Sequence, residues 1–302
     1  MEIARLNFIT GKGGAGKSTA AAALALALAR RGRCVLADLD GRRSAAGILD
    51  LTGPEFSAAA DAAPVPRDPE PIALSPRAEL EAFIHRIVPI KAISRRMLGS
   101  RTFGYVSAAA PGLEAFLILE RLRIIAGDAA LKNYHAIVDA PASGNALEML
   151  GSAAGIRELA PLGTLNRLAS GIEGLLIDPT RFAVFLTVIP ETLAIREAID
   201  TARRLRDQLC ITRLCAILNC AVEPLFSSAE LDSIRHLSGH LELARRRSEL
   251  ASRTAEARRK LHQAGLAVIE LPMLFRTALY RRDAAILARA LEPSLKSYEP
   301  GA

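Results

Sequence analysis

Apolar positions along this chain keep two rhythms. Short, nearly unbroken apolar runs alternate with longer stretches of helical period. The runs at 6–10, 33–39, 134–139, 182–189, 214–219 and 266–271 predict buried strands, and 71–74 predicts a short one. Residues 17–31 predict a helix rich in alanine and leucine. From 76 to 126 the period is helical, with Leu80, Phe83, Ile84 and Ile87 on one face and an interruption at Pro111-Gly112. The segment 58–71, dense in alanine and proline, reads as a surface loop. Strands alternating with helices predict an α/β fold with one doubly wound, mostly parallel sheet. The expected layout is a single domain over 1–302 with a helical subdomain inserted at 76–130. Ligands of such sheets lie at the carboxyl ends of the strands.

Composition narrows the picture. Half of the 302 residues are apolar, aromatics make up 4%, and tryptophan is absent, so the core must be aliphatic. The net charge of +7 comes from arginine clusters such as Arg245-Arg246-Arg247 and Arg258-Arg259-Lys260. Glutamates interleave with them, which suits solvated helix faces better than a nucleic-acid or lipid surface. Cys34, Cys210, Cys215 and Cys220 have neither C-x-x-C nor zinc spacing and read as ordinary reduced thiols. His236 and His240, with Gly239 between them and no third ligand, read as a solvated pair. The amino terminus runs straight into the first strand, so no signal peptide is expected, and the longest apolar run, 20–29, is half a membrane span. A cytoplasmic location is expected.

The chemistry concentrates after the first strand. Gly11-Lys12-Gly13-Gly14-Ala15-Gly16-Lys17-Ser18-Thr19 reads G-x-x-x-x-G-K-S between a strand and a helix, the context of a phosphate-binding loop. Its glycines turn backbone N–H groups around a phosphate chain, and the helix adds the positive end of its dipole. Lys17 is expected on the β- and γ-phosphates and Ser18 on Mg²⁺. Asp139, closing a strand, is expected to hold the water shell of the metal. Gly144, shortly after it, leaves room for a backbone N–H at the γ-phosphate. Asp40 is expected to orient or deprotonate the attacking water. Asp38 competes for that role. No second phosphate loop and no repeat occur, so one P-loop NTPase site per chain is expected.

Lys12 places the loop more narrowly. K-G-G-x-G-K-S resembles the deviant phosphate loop of the MinD, ParA, nitrogenase iron-protein and ArsA ATPases, whose extra lysine reaches across a dimer interface. D-A-P-A-S-G-N-A-L at 139–147, Asp40-Gly41-Arg42-Arg43-Ser44, Pro111-Gly112-Leu113-Glu114, Pro190-Glu191 with Glu197, Pro224-Leu225-Phe226 and Leu271-Pro272-Met273-Leu274-Phe275 are together similar to the ArsA family, in its short bacterial branch. The resemblance implies Mg²⁺-dependent ATP hydrolysis with Asp40, Lys12 and Lys17 as catalytic residues. It also implies adenine contacts from Asn219 and Pro272. A homodimer, or a heterodimer with a related subunit, would act on a protein or hydrophobic client, and a transient membrane-protein partner is compatible. No nucleic-acid partner is expected.

Some positions depart from that family. Gly41-Arg42-Arg43 replaces the usual P-A-H, and Asn145 stands where histidine is usual. Converging cysteines for arsenite are absent, so arsenite is expected to leave turnover unchanged. The alternative is a ParA/MinD-type positioning ATPase that binds DNA or a membrane surface through basic patches or an amphipathic helix at 280–291. That stretch reads more readily as a docked core helix. Electron transfer through a bridged cluster fails, because only Cys34 lies between the loop and the last switch.

Overall fold

The computed structural model describes residues 3–39, 44–51, 68–74, 76–87, 112–127 and 135–296. Every apolar run named above becomes a strand. These are β1 (Leu6–Gly11), β2 (Cys34–Asp38), β3 (Glu70–Ala73), β4 (His135–Asp139), β5 (Phe182–Val188), β6 (Leu214–Ala221) and β7 (Ala267–Pro272). They form one sheet in the order β3-β2-β4-β1-β5-β6-β7, and every strand pair is parallel. A parallel sheet is covered on both faces, so its central strands need apolar residues without alternation. In β5 every residue of Phe-Ala-Val-Phe-Leu-Thr-Val is buried. The chain moves outward from β1 through β2 to β3, returns to place β4 beside β1, then continues on the other side through β5. That reversal opens a crevice at the carboxyl end of β1.

Side-chain alternation divides the core between the two faces. Phe8, Val138, Val184 and Ala216 face α4 (Leu113–Gly127), α5 (Ser143–Leu159), α6 (Thr164–Ile177), α7 (Thr192–Leu209) and α9 (Ser238–Gln263). Ile9, Ile137, Phe185 and Ile217 face α1 (Lys17–Ala29), α2 (Ser44–Ile48) and α10 (Arg281–Lys296). The remaining helices among the described residues are α3 (Pro76–Ile87), packed on α4, and the short α8 (Ser228–Ser233). Within the expected insertion, Phe116, Leu119 and Leu122 of α4 are fully buried against the main core. Glu120 of α4 is buried and held by both Nε and Nη2 of Arg123, at 2.6 and 2.8 Å. Leu80 is buried and Phe83 half-buried there, whereas the side chains of Ile84 and Ile87, and residues 88–111 and 128–134, lie outside the described residues.

α1 shows how composition sets packing. A helix apolar on all sides must be enclosed, and every residue from Ala20 to Ala29 is buried. The sheet covers one side and α10 the other. α10 presents Ala284, Leu287, Ala288, Leu291 and Leu295 in a helical stripe to that contact, while Arg282 and Arg289 stay exposed. Arg30 bridges to Glu292 at 2.7 Å, and Arg281 Nη1 donates to the Leu49 carbonyl at 2.9 Å. The apolar face of the 280–291 stretch is therefore occupied by α1. Leu291→Ala is expected to lower stability by about 2–5 kcal/mol, the range for a leucine removed from a core. Ile286→Ala, on the exposed face of the same helix, should change it by no more than about 0.5 kcal/mol. Urea denaturation midpoints of the two variants check the difference. No helix among the described residues is long and apolar enough to cross a membrane.

Candidate functional site

The glycine loop leaves β1 at the reversal point and enters α1. Gly11 has φ 151°, and a Cβ there would stand 2.3 Å from the Thr187 carbonyl oxygen of β5. Only glycine lets the chain turn away from the sheet at that point. Gly16, at φ 87° and ψ 34°, caps α1 from the left-handed region, where side chains are strained. It offers no side chain to the first turn, so the N–H groups at the start of α1 have no side-chain cap. Ala15 N–H donates to the Lys12 carbonyl at 3.1 Å, closing the turn. Gly13 and Gly14 are exposed, while Lys12, Lys17, Ser18 and Thr19 are half-buried. Neither lysine has a carboxylate partner among the described residues. Uncapped N–H groups beside two uncompensated ammonium groups make an anion cradle.

Two carboxylates stand on the same side of the sheet. Asp139 ends β4, is 1% exposed, and lies in register with Ile9 of β1 and Asp38 of β2. In-register residues of parallel strands share a face, and Ile9 and Ile137 face α1. Asp38 and Asp139 therefore sit side by side, on the side of α1. Asp38 also receives the Ala45 N–H on Oδ2 at 3.3 Å. Asp38, which competes with Asp40 in the sequence, neighbours Asp139, and Asp40 to Arg43 lie outside the described residues. With the Ser18 hydroxyl, these buried carboxylates supply the hard oxygens that suit Mg²⁺. No group of three His, Cys, Asp or Glu suited to a metal exists among the described residues. Mg²⁺ fits that count, since phosphate oxygens and water complete its shell in nucleotide sites.

The strand ends are tied together. Thr10 Oγ1 donates to the Pro141 carbonyl at 2.7 Å, Ala140 N–H to Ile9 at 3.0 Å, and Leu39 N–H to Asp139 at 3.0 Å. Gly144 and Asn145 are exposed in the first turn of α5, ahead of the loop's own helix core. The preceding residue, Ser143, is buried and its hydroxyl donates to Glu197 of α7. That bond links the loop after Asp139 to the helix after β5. Nothing in the sequence signals it, because neither residue has a fixed spacing to the other.

Asn219 lies at the end of β6 and is 7% exposed. Its Nδ2 donates to the Ala15 carbonyl of the glycine loop at 3.0 Å. β6 is irregular just beyond, with Cys220 at φ 56° and a register shift between Leu218 and Ala221. Pro272 ends β7, exposed and paired with Ala221, and Met273 N–H donates to the Ala221 carbonyl at 2.9 Å. Farther along, the exposed Phe275 has φ 49°, and the Arg247 guanidinium lies 5.8 Å from its ring centroid. Thr187, also missed in the sequence, pairs with Gly11, and its buried Oγ1 makes no hydrogen bond among the described residues.

The thiols do not converge. Cys34 and Cys215 are buried in β2 and β6, with β4, β1 and β5 between those strands. Burial pushes the Cys215 thiol up to about 12 and raises those of Cys34 and Cys220. Cys210 is exposed at the end of α7. His236 falls in the turn before α9 and His240 in its first turn, both exposed, so they do not share a helix face.

A glycine loop between the first strand and its helix, at the reversal of a parallel sheet, defines a P-loop nucleotide-binding domain. Residues 6–205 match the family described as the CobQ/CobB/MinD/ParA nucleotide binding domain (CbiA), and the chain belongs to that family. It is also similar to a putative ATPase of Mycobacterium bovis and to the ATPase BagA of Mycobacterium tuberculosis. Each is 30% identical over 218 residues, which cover 67% of this chain and 61% of the relative. The match thus spans less than two thirds of the length of these curated relatives. The family match contains the glycine loop, Asp38 and Asp139 and ends before Asn219 and Pro272.

Proposed function

We propose that this chain is a Mg²⁺-dependent ATPase with one site per chain, working as a nucleotide-switched dimer of the ArsA type. The observation that carries the reading is the glycine loop, with two lysines that have no carboxylate partner among the described residues, beside an uncapped helix start. Similarity to proteins named as ATPases supports hydrolysis. Lys17 would hold the β- and γ-phosphates, while Ser18, Asp38 and Asp139 would hold Mg²⁺. The metal, when bound, neutralises phosphate charge. Asp40 would orient the attacking water, and the Gly144 turn would follow the γ-phosphate. Asn219 and Pro272 would flank the adenine.

Lys12 makes the site bimolecular. In this reading it meets the phosphoryl group bound by a second chain, identical or related, as a charge supplied in trans. The ArsA-type reading rests on the D-A-P-A-S-G-N-A-L block and the loops after β6 and β7, and the client is a protein or hydrophobic segment. A ParA/MinD-type positioning ATPase would use the same nucleotide site. The packing of α10 on α1 speaks against that helix as its membrane anchor. Mixing Lys12→Ala chains with Asp40→Asn chains tests the dimer. Each mixed pair has one site with its own Asp40 and the partner's intact Lys12. Recovered ATP turnover supports the arrangement. No recovery in dimers shown to exchange subunits would place Lys12 outside the partner's site.

A further inference from the structure

The loop after Asp139 is tied to β1 where it begins and to α7 where it ends. At its start, Ala140 N–H donates to the Ile9 carbonyl at 3.0 Å and Thr10 Oγ1 to the Pro141 carbonyl at 2.7 Å. At its end, the hydroxyl of the buried Ser143 donates to the Glu197 carboxylate. Ser143 opens α5 and follows Ala142, which stands at the cap position and makes no side-chain hydrogen bond to the helix. The first bond of α5 runs from the Ala146 N–H to the Ala142 carbonyl, so the N–H groups of Ser143, Gly144 and Asn145 have no partner within the helix. Gly144 and Asn145 are exposed. Among the described residues, no atom outside α5 lies within 4 Å of the place a Cβ on Gly144 would take. Glu197 is half-buried on the packed part of α7, with Ala194, Ile195 and Ala198 buried around it. A carboxylate there meets both a donor hydroxyl and the positive end of the α5 dipole.

We propose that Glu197 is a positioning residue for ATP hydrolysis: through Ser143 it sets the direction in which the first turn of α5 presents its free N–H groups. This rests on the reading that the Gly144 turn meets the γ-phosphate. β1 holds the loop only as far as Pro141, and Ala142 has no polar side chain with which to add a tie. Ser143 directly precedes Gly144, so any rotation of Ser143 swings the Gly144 N–H with it. Glu197 blocks that rotation from a helix that is itself packed on β5. Its bond to the hydroxyl is of the strong kind, because the acceptor carries a full charge. The consequence is selective. ADP has no γ-phosphate to reach the Gly144 turn, so the bond acts on ATP and on turnover and leaves ADP alone.

The test uses the full chain with Mg²⁺ and two probes, a slowly hydrolysed ATP analogue and ADP, beside steady-state turnover of ATP. Ser143→Ala and Glu197→Ala should each bind the ATP analogue about fivefold more weakly and keep ADP affinity within about twofold, one positioning hydrogen bond being lost. Each should also lower kcat by about tenfold, the order of loss that a misplaced contact group brings. The double variant should do no worse than either single one, because both remove the same bond. Glu197→Gln keeps an acceptor oxygen for the Ser143 hydroxyl and should hold ATP binding and kcat to within about twofold of wild type. If Ser143→Ala does not fold, the comparison of Glu197→Ala with Glu197→Gln carries the test alone. Equal weakening of both probes in the alanine variants would reduce the pair to packing and overturn the proposal. Glu197→Gln behaving like Glu197→Ala would overturn it too. Wild type that binds the two probes equally would instead remove the γ-phosphate from the Gly144 turn, and wild type that binds neither would overturn the nucleotide-site reading itself.

Discussion

Lys17→Ala is expected to weaken Mg²⁺-ATP binding by about two to three orders of magnitude, the loss typical when one partner of a desolvated charge pair is removed. Lys17 opens α1 and is half-buried where the uncapped N–H groups face the crevice. The backbone groups carry only partial charges, so the ammonium is the principal full charge that the loop's own helix can offer a triphosphate. Burial around α1 begins at Ala20, so the substitution leaves the packed part of the helix untouched. Thermal unfolding without nucleotide should be close to wild type, while the stabilisation by added ATP should vanish. Isothermal titration with a slowly hydrolysed ATP analogue measures the affinity directly. Wild-type affinity in this variant would remove the loop from the nucleotide site.

Asp40→Asn is expected to keep ATP affinity and lose turnover by about 10²-fold or more, the usual range for a missing general base. An amide keeps the shape of the carboxylate but cannot take a proton from water. Asp139→Asn provides the contrast. Asp139 is buried in register with Asp38, so its loss should raise the Mg²⁺ concentration needed for turnover. Single-turnover hydrolysis across a Mg²⁺ series separates the two effects. Full turnover in Asp40→Asn would move the water-orienting role to Asp38, the neighbouring carboxylate whose Oδ2 receives the Ala45 N–H.

Much of the fold was legible because the signals were local. All seven strands sit within two residues of the apolar runs that predict them, including the short β3. Parallel strands buried on both faces leave an apolar run that no turn can imitate. Ends were less legible: β1 continues to Gly11 and β6 to Ala221, because strand pairing, not hydropathy, sets where a ladder stops. The phosphate loop was legible for the same local reason, its residues being consecutive. Asp38 was not. The pattern within one strand does not say which neighbouring strand stands beside Asp38. Asn219 carried a base role by resemblance, yet its bond to Ala15 has no sequence signature, since a backbone carbonyl looks the same at every position.

The amino-acid sequence by itself determined the α/β alternation, the glycine loop with its two lysines, and the enclosure of α1, since a helix of alanine and leucine on every side has nowhere to go but inside. Tertiary structure alone decided the strand order that puts β4 and β5 on either side of β1, and with it the pairing of Asp38 with Asp139. It also decided that α10 covers α1, that Ser143 binds Glu197, and that Asn219 closes on Ala15. The physical reason is range. Hydropathy and backbone preference act between near neighbours, whereas a hydrogen bond between Asn219 and Ala15 exists only after the sheet has brought the ends of β1 and β6 together.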